Sequence, residues 1–157
     1  MTYLIVVLIL ALCFVTNMLF KYRKLYKNET ALKERFMSYY TFTNKWLRYK
    51  NYNKRIADYL AEDEIKSLGI YGFGELGKRL YEDLKKGDIK ISCLIDNSLT
   101  EPQYNIPLLR LHNNQPLPDI KMDAIIVTPI YDFKNIERRL RDAGFEGAIL
   151  SLEDIIY

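Results

Sequence analysis

The run Leu68-Gly69-Ile70-Tyr71-Gly72-Phe73-Gly74-Glu75-Leu76-Gly77 constrains the fold more than any other part of the chain. A short apolar stretch leads into three glycines spaced G-x-G-x-x-G, and a helix-forming stretch follows. Asp96 then closes a second apolar run, Ile91-Ser92-Cys93-Leu94-Ile95. Strand, glycine turn, helix, strand and acid, in that order, make up a dinucleotide-binding βαβ unit. The first glycine permits the tight turn, the second lets backbone approach a pyrophosphate, and the third lets helix and strand pack closely. The acid is placed for ribose hydroxyls. The spacing marks Gly72, Phe73, Gly74, Leu76 and Gly77 as a candidate ligand-binding turn, with Asp96 and Asn97 beside it. A plainer reading stands next to each. The turn can be only a tight β–α connection, and Asp96-Asn97-Ser98 can be only a turn, since Asp and Asn favour turns on their own account. Glu75 suits the helix dipole but would repel a nearby phosphate.

The remaining pattern repeats strand and helix. Strands are expected at Ser67–Tyr71, Lys90–Ile95, within Ile106–Leu111, at Met122–Thr128 and at Ala148–Ser151. Helices are expected over Glu75–Lys86, stopped by Gly87, and over Tyr131–Ala143, with Asp132 as cap and Gly144 as stop. A terminal helical turn covers Leu152–Ile156, and Asn113–Pro118 reads as a turn. The continuous apolar run before Thr128 suits a central parallel strand. The implied fold is α/β, a small parallel sheet of about four or five strands with right-handed crossovers. Thr128, at the end of that central strand, faces the crevice where open sheets bind ligands, although helix entry alone would also explain it.

Tyr3 to Phe20 carries no charge. At ~1.5 Å per residue this stretch covers roughly 27 Å of helix, near the thickness of a bilayer's hydrocarbon. A cleaved signal peptide would want a basic start and a small-x-small site, and a lipoprotein would want a small residue where Leu12 precedes Cys13. The segment therefore reads as a transmembrane anchor, with the lipid bilayer as partner for residues 3–20. Lys21, Arg23, Lys24 and Lys27 follow it, which places the C-terminal part in the cytosol by the positive-inside rule. In that orientation the sequon at Asn28 has no meaning.

From Lys21 to Asp63 there is no Gly or Pro. Leu25, Leu32, Phe36, Tyr39, Phe42, Trp46, Tyr49, Ile56 and Leu60 recur at helical steps. This stretch reads as an amphipathic, aromatic-rich helical linker, broken near Asn51-Tyr52-Asn53. Its stripe either packs on the same chain's globular domain or serves a homo-oligomer or an envelope-synthesis partner through residues 25–60. Three parts result: residues 1–20 as anchor, 21–64 as linker and 65–157 as nucleotide-binding domain.

Chemistry beyond binding finds little support. The net charge of +3 is too mild to argue for nucleic acid. Two cysteines and one histidine, His112, provide neither a disulfide framework nor a zinc site. Tyr81 and Lys85 have the Tyr-x-x-x-Lys spacing of short-chain dehydrogenases, but they lie on the helix just after the glycine turn, the wrong place for that pair. No nucleophile–base set stands out.

The string from Ile70 to Leu84, followed by Cys93-Leu-Ile-Asp-Asn97, resembles the Rossmann-like accessory domain of membrane-bound capsular-polysaccharide proteins. These include nucleotide-sugar dehydratases and epimerases and polyprenyl-phosphate sugar-phosphate transferases. Ile106-Pro-Leu, Ala124-Ile-Ile-Val-Thr-Pro and Ile149-Leu-Ser-Leu-Glu-Asp-Ile155 fit the same module, so the likeness covers about Ile65 to Tyr157. It implies Gly72, Gly74, Gly77 and Asp96 as ligand-facing positions and NAD or a nucleotide-sugar as ligand. Those larger proteins carry several membrane helices and a catalytic domain, which this chain lacks. The expectation is a membrane-anchored, non-catalytic binding module. A minimal NAD-dependent oxidoreductase or epimerase subunit and a ligand-free adaptor are the alternatives.

Overall fold

A computed structural model describes residues 1–111 and 115–156. His112 and the first residues of the expected turn at Asn113–Pro118 lie outside the described residues. The chain divides into two compact units, Met1–Tyr40 and Thr41–Tyr157.

The first unit is the N-terminal part of one long helix, α1 (Thr2–Asn51). Its apolar stretch is long and apolar enough to cross a membrane, and none of that window is buried. Leu25, Leu32 and Phe36 are also exposed.

The second unit begins well before Ile65. Phe42, Trp46 and Tyr49 at the end of α1, and Ile56 and Leu60 of α2 (Ile56–Glu62), are all buried within it. The aromatic stripe is thus used as core from Phe42 onward. The expected break occurs between the two helices, where Asn53 takes a left-handed φ of 56°, a conformation Asn tolerates better than most residues.

The sheet contains β1 (Ser67–Tyr71), β2 (Lys90–Ile95), β3 (Leu108–Leu109), β4 (Ala124–Val127) and β5 (Ala148–Ser151). All pairs are parallel and the order is β3-β2-β1-β4-β5. From β1 the chain moves outward to β2 and β3, then returns to the other side of β1 for β4 and β5. Right-handed crossovers therefore place α3 (Glu75–Leu84) and α4 (Phe133–Asp142) on opposite faces. On the α4 face, Cys93, Ile95, Ile125, Val127 and Ile149 pack with Ile136 and Leu140. Strand alternation turns Leu68, Ile70, Leu94 and Ile126 to the face of α3, and all four are fully buried. There α3 contributes Leu76, Leu80 and Leu84, at helical spacing.

Element ends differ from the sequence reading in several places, among them β4, which covers only Ala124–Val127 of the expected Met122–Thr128. The helix α3 stops at Leu84, because Lys85 already caps it and the Gly87 amide bonds back to the Leu84 carbonyl at 2.9 Å. The expected strand in Ile106–Leu111 shrinks to Leu108–Leu109, which pair with Leu94 and Ile95. Ahead of α4 a 3-10 turn spans Ile130–Asp132. Asp132 makes no capping bond to the backbone; its carboxylate accepts from the Asn135 side chain at 2.7 Å. A short helix, α5 (Leu152–Ile155), follows β5 and is capped by Ser151, whose hydroxyl accepts from the Glu153 amide at 3.3 Å.

Candidate functional site

The glycine turn sits at the C-terminal end of β1, where the strand order reverses. Neighbouring connections leave in opposite directions there, the position at which open α/β sheets bind ligands. The three glycines meet three different environments. Gly72 has φ +83°, and a Cβ there would lie 2.7 Å from Pro129 Cδ, so both conformation and space require glycine. At Gly77 a Cβ would come within 2.2 Å of the Gly72 carbonyl oxygen, so α3 can lie against the turn only because the side chain is missing. Gly74 has an extended φ of −74° and nothing within 4 Å of a Cβ. It is the N-cap of α3 and supplies no side-chain capping bond, so the first-turn amides face the crevice with the positive end of the helix dipole.

Asp96 lies half-buried beside this turn and makes a dense set of bonds. Its Oδ2 accepts from the Phe73 amide at 2.7 Å, and its Oδ1 accepts from the Ser98 amide at 2.7 Å and the Ser98 hydroxyl at 2.6 Å. Burial pushes the carboxyl upward, but the bonds from Ser98, Phe73 and Leu99 outweigh it and hold the group below the ordinary carboxylate value. It is therefore ionised at neutral pH, and these bonds already engage most of a carboxylate's roughly four lone-pair sites.

The other candidates have structural occupations. Asn97 grips the Leu111 backbone at both ends: its Nδ2 donates to the Leu111 carbonyl at 2.9 Å, and its Oδ1 accepts from the Leu111 amide at 2.9 Å. Thr128 is buried, and its hydroxyl donates to the Gly72 carbonyl at 2.6 Å. The Phe73 ring is buried and lies edge-on to Tyr81 and Tyr104, with centroids at 6.2 and 6.0 Å. Leu76 is a core residue of α3. The turn thus brings Gly72, Gly74, Gly77 and Asp96 to one place, with Phe73 and Thr128 holding it from below. The Glu75 side chain is 82% exposed and lies 3.9 Å from the Lys78 ammonium, so solvent and a neighbouring cation screen its charge from the crevice.

Three residues near the turn were not singled out by sequence. Tyr71 ends β1, and its hydroxyl accepts from the Arg139 guanidinium at 3.4 Å. Burial pushes the Tyr71 phenol up, with Asp96 and Asp132 acting the same way and Arg139 against them. Arg139 also donates to the Leu111 carbonyl at 3.2 Å. It is a neighbour because α4 packs on the face of the sheet against which Tyr71 also lies, which no local pattern reveals. Tyr104 is the third; it lies in the loop after β2 and stacks on Tyr81 at 4.3 Å.

A second cleft of about 470 Å³ opens where β4 and β5 end, lined by Tyr131, Asp132, Asn135, Ser151, Glu153 and Asp154. Its size falls within the range of small-molecule sites. Lys134 lines it as well, beside the carboxylates of Asp132, Glu153 and Asp154. Cys93 is buried and its thiol is pushed up to about 12 by burial, so it is no nucleophile at neutral pH. Among the described residues, no cluster of three or more His, Cys, Asp or Glu side chains is placed to hold a metal ion.

No protein-family model, curated protein or solved structure matches the chain.

Proposed function

We propose that the chain is a nucleotide- or nucleotide-sugar-binding module with a Rossmann-like domain, held at a membrane by the apolar part of α1. One observation carries the reading. The fold itself accounts for glycine at positions 72 and 77 but not at 74, where a Cβ has open space and an ordinary backbone. A ligand that must come close to the backbone at the helix N-terminus supplies the missing reason. The bonded, ionised Asp96 beside the turn suits ribose hydroxyls without a 2′-phosphate.

The absence of burial along the apolar window supports a membrane anchor over a core helix. The basic residues Lys21, Arg23, Lys24 and Lys27 favour a cytoplasmic location for everything after Phe20. The resemblance to accessory domains of capsular-polysaccharide proteins makes envelope polysaccharide synthesis the proposed setting, with binding rather than turnover as the task.

The test is a melting experiment on the full chain in mild detergent with a panel of NAD, ADP, UDP and UDP-sugars. At least one member raises the melting temperature, and Gly74→Asp abolishes the shift while melting near the wild-type temperature without ligand. A panel with no effect on the wild type, or equal shifts in Gly74→Asp, contradicts the reading.

A further inference from the structure

We propose that Tyr104 is the stacking platform for the base of the nucleotide bound at the glycine turn, an inference that rests on the nucleotide reading above. Tyr104 and Asp96 both reach the same turn residue. The Phe73 amide donates to Asp96, while the Phe73 ring meets the Tyr104 ring edge-on at 6.0 Å. Tyr104 is backed by Tyr81, nearly parallel at 22° and 4.3 Å between centroids, yet remains 53% exposed. The ring is therefore backed by Tyr81 and half exposed, and it shares Phe73 as neighbour with the acid placed for ribose.

The loop holds this ring at some expense. Tyr104 and Asn105 both adopt left-handed φ values, 55° and 58°, a conformation Asn tolerates but Tyr rarely takes. The surrounding bonds keep them there. The Ile106 amide donates to the Gln103 carbonyl at 3.0 Å, and the Leu94 amide donates to the Pro107 carbonyl at 2.8 Å. The Arg110 guanidinium donates to the Leu99 carbonyl at 3.1 Å. A side chain needed only to cover Phe73 would not need such exposure. A heteroaromatic base stacks on a tyrosine face whatever its edge pattern, so the platform selects nucleotides over sugar phosphates without fixing which base.

Calorimetric titration of the full chain in detergent with ADP, UDP and ribose 5-phosphate tests this. Tyr104→Asn removes the ring while keeping a residue that tolerates the left-handed backbone. It is expected to weaken the better-bound nucleotide by about 5- to 150-fold, the range for losing one base stack, and to leave ribose 5-phosphate binding unchanged. Tyr104→Trp keeps the nucleotide affinity. Unchanged nucleotide affinity in Tyr104→Asn overturns the inference and leaves the nucleotide reading standing, as does an equal loss of nucleotide and ribose 5-phosphate. A wild type that binds none of the three overturns both.

Discussion

Replacing Gly77 with alanine should separate the packing role of the glycine turn from its binding role. In an ordinary helix position the change from Gly to Ala stabilises by about 1 kcal/mol. Here the new Cβ would lie 2.2 Å from the Gly72 carbonyl oxygen, whereas real Cβ contacts are essentially never under 3.0 Å. Either the turn or the helix must therefore give by about 0.8 Å, a step taken from those two distances. The turn is poorly able to move. The Gly72 carbonyl accepts from Thr128, its amide donates to the Ile95 carbonyl at 2.9 Å, and Pro129 lies against its α-carbon. Tilting α3 instead loosens Leu76 and Leu80 in the core. Overpacking of this kind costs about 3 kcal/mol or somewhat more, leaving a net loss of roughly 2–3 kcal/mol and a melting temperature lower by about 8–12 °C. Trp46, the single tryptophan, is buried in the Thr41–Tyr157 unit, so its fluorescence follows the unfolding of that unit in denaturant. Gly74→Ala is the control, and should change stability by no more than about 0.5 kcal/mol, since a modest capping loss and a reduced unfolded-state entropy offset each other. A Gly77→Ala protein as stable as wild type would refute the reasoning, because the close approach of α3 to the turn would then not depend on a missing side chain.

Asp96→Asn tests the carboxylate's place in the turn. The folded group titrates below its ordinary value of 3.8, so its contribution is fully present above that pH and is lost as pH falls through the folded value. Denaturation between pH 3 and 6 should show wild-type stability dropping at the acid end, with a shallower drop in the variant; identical slopes would exclude the group as a contributor. Asn97→Ala removes both bonds to Leu111 and strands the Leu111 amide, while Arg139 still donates to the Leu111 carbonyl; the expected loss is about 1–2 kcal/mol measured in urea, with nucleotide affinity little changed. Thr128→Val keeps the shape but leaves the Gly72 carbonyl without its hydroxyl donor, an expected loss of about 1–2 kcal/mol. Thr128→Ser should retain most of the wild-type stability in the same assay.

Much of the architecture could be read from the chain alone, and the reasons are local. The strands at Ser67–Tyr71, Lys90–Ile95 and Ala148–Ser151 coincide with apolar runs bounded by glycine, charge or turn residues. The apolar stretch of α1 needs only composition to be recognised. What composition could not give was the reach of the compact unit back to Thr41. The periodicity of Phe42, Trp46 and Tyr49 shows that one face is apolar, but says nothing of what covers it.

The site divides along the same line. The spacing of Gly72, Gly74, Gly77 and Asp96 specified by itself a β–α turn with an acid alongside, because backbone conformation and helix start are set by neighbours in sequence. Only the tertiary structure assigned the glycines different reasons, two demanded by packing and one left open toward the crevice. It alone turned Asn97 and Thr128 into supports of Leu111 and Gly72, and brought Arg139 to Tyr71 and Tyr104 to Phe73. Those contacts join residues far apart in the chain, and distance along the sequence carries no record of which faces the sheet will bring together.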